Sequence, residues 1–307
     1  MSDDPDVVPA ATRRYALIGA GAVGTALGLR LAEAGLTVEV VVSRRPETAA
    51  ALAGRLGARA LPLEALPETV DAVLCCVPDD ALAALAEALY LLPRPWTGTV
   101  VAHTSGVHGA DVLAPLAARG ALPLGFHPLQ AFPPGSPPRA FEGIYIGLDG
   151  PPEAVAFGRT LARRLRAHPV EIPAGGRARY HLAAVLASNY LVTLMALAEE
   201  VLGSLGLDRG TSAAMLRPLF EGTWRNLSGH LPEDALTGPI VRGDRATVRR
   251  HLDTLAGDLP HLLPVYAALA SETVRVAVRS GRLHPDDARA LLDLLQEALD
   301  TPENPLF

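Results

Sequence analysis

The chain has 307 residues, 27 basic and 33 acidic side chains, a net charge of −6 and a 49% hydrophobic composition. That length accommodates two ordinary domains with ample core, and the acidic balance argues against a nucleic-acid binder, which would show a basic field. Every basic residue is an arginine, so a Schiff-base lysine, a lysine general base and a P-loop lysine are all excluded.

Residues 1–12 are acidic and proline-containing, with no apolar signal core. They read as a short disordered tail ahead of a cytoplasmic protein. A short apolar run, Tyr15 to Ile18, then leads into "GAGAVG", which places Gly19, Gly21 and Gly24 in G-x-G-x-x-G spacing. A small-residue helix follows, and a second apolar strand runs from Val38 to Val42. In that setting the first glycine permits a tight turn, the second admits a pyrophosphate, and the third lets helix and strand pack closely. The N–H groups that open the helix, from Ala22 and Val23 onward, face the phosphates. Ser43, Arg44 and Arg45 stand where NAD-binding chains carry an acid, and a hydroxyl with two guanidinium groups suits a 2′-phosphate. The cofactor expectation is therefore NADP(H).

Further strands are expected in "VDAVLCCVP", "GTVVAHTSG", "ALPLGFHP" and "GIYIGLDG". Cys75 and Cys76 are adjacent in the first of these, so they point to opposite faces and read as small buried hydrophobes, not as a disulfide or metal pair. Ligands of such sheets lie outside the carboxyl ends of the strands. Asp79, His103, Thr104, Ser105 and His127 all fall at or just beyond such ends, and Val77 and Pro78 are candidate cofactor contacts. From about residue 177 the period turns helical, with helices expected at 179–205, 211–226, 245–255, 260–278 and 285–299. His181, Val185, Ser188 and Asn189 share one face of the first. That polar stripe fits either a cleft or a dimer seam. This stretch is apolar but interrupted by polar residues, and it reads as a helix buried in protein, not as a membrane span. "LTGPIVRGDRATV" adds Arg242, a candidate for a substrate carboxylate, and Asp244, a candidate helix cap.

The motifs "IGAGAVGTAL", "HTSG", "GFHPLQAF", "YHLAAVLASNY" and "LTGPIVRGD" together resemble a bacterial family of Rossmann-like oxidoreductases with a helical C-terminal domain of unknown function. Its wider relatives are the 6-phosphogluconate dehydrogenase-like reductases, among them pyrroline-5-carboxylate reductase, ketopantoate reductase and prephenate dehydrogenase. The resemblance implies a nicotinamide cofactor and dimerisation through the helical domain. His127 with Pro128 is similar to the His-Pro of prephenate dehydrogenases, and Asn189 to the helix asparagine of hydroxyacid dehydrogenases, although Val185 replaces the usual lysine one turn earlier.

The expected architecture is α/β, a Rossmann-type doubly wound sheet at 13–165 followed by an all-α domain at 166–307. The expected function is hydride transfer between NADP(H) and a small carbonyl or imine compound carrying a carboxylate, such as a 2-oxo acid or a cyclic imine. His127 and His103 are the candidate proton donors, Ser105 and Asn189 the candidate oxygen ligands, and His181, Ser188 and Arg242 the candidate substrate contacts. No metal is expected. The alternative is a regulator that binds NADP(H) without turnover.

Overall fold

The computed structural model describes residues 14–300, so the expected tail lies outside the described residues. The chain divides into two compact units between Asn189 and Tyr190.

The first unit opens with β1 (Arg14–Ile18), α1 (Ala22–Glu33), β2 (Thr37–Val42), α2 (Pro46–Leu56) and the two-residue β3 (Arg59–Ala60). There follow β4 (Ala72–Cys75), α3 (Asp79–Tyr90), β5 (Val100–His103), the single turn α4 (Ala114–Ala117), β6 (Leu122–Pro128), β7 (Tyr145–Asp149), α5 (Pro152–Arg164) and β8 (His168–Glu171). The sheet order is β3-β2-β1-β4-β5-β6-β7-β8. The strands from β3 to β6 pair in parallel, β7 is antiparallel to β6, and β8 is parallel to β7. The central strands are buried along their length, because a parallel sheet is covered on both faces. Leu17, Leu27, Leu52 and Leu161 belong to the core on one face; Ile18, Leu82, Leu89 and Trp96 belong to the core on the other. Cys75 and Cys76 fall into these two opposite cores as free buried thiols, and burial pushes both thiols up, Cys76 to about 12.

The end of this unit differs from the boundary expected at residue 165. β8 is a largely exposed edge strand, "HPVE", with no apolar run to betray it. It extends the sheet, and α6 (Arg177–Ala187) is tied back to β7 by Arg177. The unit therefore continues to Asn189.

The second unit is helical, with most of α7 (Asn189–Gly203), then α8 (Arg209–Gly229), α9 (Pro232–Ala235), α10 (Arg245–Asp258), α11 (Leu263–Arg279) and α12 (Pro285–Leu299). Its core gathers Val248 and Leu252 from α10, Val274 from α11, and Leu291 and Leu295 from α12. Asp244 caps α10 as expected, accepting from the Thr247 N–H at 3.0 Å, and Asp208 caps α8 in the same way through Thr211.

The single helix expected at 179–205 is broken at Ser188, whose φ of −122° and ψ of −68° leave the helical region. The stretch Arg177–Gly203 is long and apolar enough to cross a membrane by length and composition alone. No residue of α7 is buried within the chain, so the burial expected for this stretch is not supplied by the chain alone.

Gly24 marks the tightest packing on the nucleotide side, since a Cβ there would overlap the Gly19 carbonyl oxygen. Gly24→Ala is expected to cost about 1–3 kcal/mol of stability as α1 is pushed off β1, read as a lowered melting temperature.

Candidate active site

The glycine loop and the carboxyl ends of β1, β2 and β4 enclose a cleft of about 1220 Å³. Gly19, Ala20 and Gly21 form one wall, Val77 and Pro78 another, and Ser43, Arg44 and Arg45 the end beyond β2. The three glycines have separate reasons for being there. Gly19 turns at φ +106°, where a Cβ would strike the Cys76 carbonyl. Gly21 has nothing within 4 Å of the position a Cβ would take, so the backbone lies open to the cleft. Gly24 packs helix against loop. Ala22 and Val23 open α1, whose N-terminus has no side-chain cap, leaving its N–H groups for an anion. These features fit a dinucleotide, with the pyrophosphate over Gly21.

At the far end the Ser43 and Thr48 hydroxyls lie 2.9 Å apart beside the first turn of α2. Arg44 and Arg45 are exposed and make no ion pair among the described residues, so both guanidinium groups are available to a 2′-phosphate. Thr48 was not anticipated. It lies inside α2 and is brought to Ser43 only by the turn between β2 and that helix.

A second polar cluster sits around the carboxyl ends of β5 and β6. His127 Nδ1 is 3.0 Å from the Tyr180 hydroxyl, and its ring meets that of His181 edge-on at 6.1 Å between centroids. Beneath them lies an ion pair between a buried arginine and a partly buried aspartate. Arg177 donates from Nε to Asp149 Oδ1 at 2.6 Å, bonds the same oxygen through Nη2, and also donates to the Gly147 carbonyl at 3.0 Å. The other Asp149 oxygen accepts from the Ala110 N–H at 2.6 Å. Three glycines clear the room for this cluster. A Cβ on Gly125 would overlap Asp149 and Arg177, one on Gly147 would lie 2.9 Å from the Tyr180 phenol, and one on Gly106 would crowd His127 and His181.

His103 differs from its expected role as a proton donor. It is fully buried, its Nδ1 accepts from the Ser105 N–H at 3.2 Å, and its Nε2 faces the Gly109 carbonyl at 3.0 Å. Both nitrogens are thus occupied by the loop that follows β5, and burial above all lowers its pKa to about 4. Ser105 serves the same loop, accepting from the His108 N–H at 3.1 Å. His127 is also not an imidazolium at neutral pH. Burial first, then Arg177, His181 and His103, lower it to about 4 against the opposing pull of Asp79. The site therefore offers neutral imidazoles, not the acids expected.

Among the remaining candidates, His181 joins His127, whereas Ser188 and Asn189 lie at the helix break that ends the unit. The stripe expected along one helix face is thus interrupted. Arg242 is exposed in the turn before α10, where it helps the Thr247 hydrogen bonds to hold the Asp244 carboxyl below its usual range. Asp149, Arg177 and Tyr180 were missed. Tyr180 adjoins a histidine that was read, but its partner lies far away in sequence.

Residues 2–128 match the model of a Rossmann-like domain, and residues 144–273 match that of a domain of unknown function (DUF2520). The chain carries both domains. A putative NADP oxidoreductase from Bacteroides fragilis is similar at 26% identity, covering 86% of this chain and 98% of its own, with a TM-score of 0.70. A protein from Thermotoga maritima shares the fold at 22% identity and a TM-score of 0.61, covering 92% of this chain and 98% of its own. So does a reductive aminase from Aspergillus terreus in complex with NADPH, at 17% identity and 0.58, covering 95% of this chain and 96% of its own. No curated protein matches the chain.

The two depressed histidines have a consequence for stability. Unfolded, each binds a proton near pH 6.5; folded, each waits until about pH 4. Unfolding between those values takes up protons, so their contribution is complete above 6.5 and is lost as the pH falls toward 4. Urea unfolding across this window is expected to show His127→Asn reducing the proton uptake by about one, with unchanged uptake ruling out a neutral His127.

Proposed function

We propose that this protein is an NADP(H)-dependent oxidoreductase that reduces a small carbonyl or imine compound. The observation that carries the reading is the cleft itself: a glycine loop open at Gly21, an uncapped helix N-terminus, and Ser43, Thr48, Arg44 and Arg45 at the 2′ end. A nicotinamide bound there supplies the hydride. Gly19 and Gly21 let the phosphates approach, while Arg44 and Arg45 distinguish the phosphorylated from the free ribose. The NADPH complex of the Aspergillus terreus reductive aminase and the NADP oxidoreductase description of the Bacteroides fragilis protein support the same cofactor.

On the substrate side, His127 acts as a neutral hydrogen-bond donor to the oxygen or nitrogen on which electrons accumulate. Neutral donors perform this task well in a water-poor site, because they need no reorganisation as charge develops. A carboxylate on the substrate is the finer expectation. Arg177 gives Nε and Nη2 to Asp149 and the Gly147 carbonyl, but its Nη1 is buried with no partner among the described residues, so Arg177 is itself a candidate for such a carboxylate, as is, from the sequence, Arg242.

Replacing Arg44 and Arg45 together by alanine is expected to weaken NADPH by about 1.5–3 kcal/mol for each phosphate hydrogen bond removed, with little change for NADH. Calorimetric titration of both nucleotides checks this, and equal affinity of the unmodified protein for the two overturns the cofactor reading. NADPH consumption across 2-oxo acids, simple ketones and cyclic imines tests the reaction class. Tight NADPH binding with no turnover of any would favour the regulator instead.

The helical unit is proposed to pair with a second copy of this chain. Val192, Leu205, Met215, Leu219, Trp224 and Leu231 are between 55% and 72% exposed, large apolar side chains that pairing would cover. Sedimentation at micromolar concentration is expected to give a dimer, and a monomer under those conditions, with or without NADPH, contradicts the pairing.

A further inference from the structure

We infer that Tyr180 is the positioning residue for His127: its hydroxyl fixes the imidazole with the proton on Nε2 and turns that N–H toward the space kept clear by Gly106. The inference rests on the substrate-side role proposed for His127 and names the group that makes the role possible.

Tyr180 has two acceptors within reach, His127 Nδ1 at 3.0 Å and the His127 carbonyl oxygen at 3.4 Å. On this inference the hydroxyl donates to Nδ1, the nearer of the two, which leaves the remaining ring proton on Nε2; donation to the carbonyl oxygen would instead leave it on Nδ1. The phenol is held where it is from several sides. It enters over Gly147, where a Cβ would stand 2.9 Å from its oxygen, and the Arg177 guanidinium lies 5.7 Å from its ring centroid. Arg177 is pinned in turn by Asp149. Burial raises the Tyr180 pKa, against the smaller effects of Arg177 and the Gly147 backbone, so the phenol keeps the proton that it donates.

The other end of the imidazole is left free. His127 Nε2 makes no hydrogen bond among the described residues and lies 2.8 Å from where a Gly106 Cβ would be. His181 Nδ1, buried and without a partner, approaches the same point at 2.5 Å. Two ring nitrogens thus converge beside Gly106, too close to it to leave room for a Cβ. Without the Tyr180 bond, the proton of a neutral imidazole is free to move to Nδ1, and the ring would then present a lone pair where the developing negative charge needs a donor. A purely structural Tyr180, holding α6 against the sheet, makes no demand on the tautomer.

The test begins with the ring itself. Two-bond proton–nitrogen correlation spectra of the full chain with labelled histidine are expected to show His127 protonated on Nε2 alone and unchanged between about pH 5.5 and 8. In Tyr180→Phe the same ring is expected to become a mixture of tautomers. Turnover should fall about 3- to 10-fold in kcat with the KM for NADPH unchanged. Because Tyr180 acts through His127, Tyr180→Phe/His127→Gln is expected to be no slower than His127→Gln alone. A His127 protonated on Nδ1 in the unmodified protein overturns the inference, as does a double variant slower by the full Tyr180→Phe factor. The ring measurement decides even where Tyr180→Phe does not fold. It also needs no turnover, so inactivity toward every carbonyl and imine tested counts against the proposed function and leaves the positioning to be judged by the spectra.

Discussion

The ion pair between Arg177 and Asp149 is the constraint on which the second polar cluster depends. The guanidinium is buried and the carboxylate partly so, and losing one partner strands the other at a cost of up to about 3–5 kcal/mol, although Arg177 Nη1 has no partner among the described residues. Here Asp149 binds the loop after β5 through Ala110, Arg177 binds β7 through the Gly147 carbonyl, and the pair joins the two. The first residue of α6 is thereby fixed to the sheet. Tyr180 and His181 follow within one turn or so, and the position of Arg177 therefore sets where both rings meet His127.

The two sides of the first unit use glycine in different ways. In the nucleotide loop, Gly19 and Gly24 allow backbone to approach backbone, and Gly21 keeps a surface open. Around His127, by contrast, Gly106, Gly125 and Gly147 each vacate space for one polar side chain or two, and none has the positive φ that would demand glycine for its backbone. These three are spread over separate strands and a loop, with no spacing that a motif could record. They exist because polar side chains, packed above a sheet to make hydrogen bonds, need the volume a Cβ would take.

That difference accounts for what was legible in the sequence. The buried central strands, the glycine loop and the absence of an acid after β2 are local signals, and each appeared in the fold as read. β3 and β8 were not legible because edge strands carry no apolar run. Nor was the break at Ser188, where Ser188 and Asn189 were read as a polar stripe on a continuous helix although both favour caps and turns. His127 and His103 were both singled out because a histidine at a strand end is conspicuous, and the structure places the two differently. The difference between them is what fills their hydrogen bonds: a backbone loop occupies both nitrogens of His103, while one nitrogen of His127 is left over. Tyr180 and Asp149 were silent because a partner far along the chain gives them their roles.

The neutral state of His127 bears on which chemistry the site favours. A ketone receiving hydride becomes an alkoxide, and a site that lacks lysine and holds its histidines uncharged meets that oxygen with a hydrogen bond, not with a ready acid. An iminium loses its charge as it accepts hydride, so its reduction would need no proton transfer from the same site. A protonated imidazole would repel that cation; a neutral one does not. Burial and Arg177, which keep His127 uncharged, therefore suit the proposed reduction to either kind of electrophile, at the expense of acid catalysis.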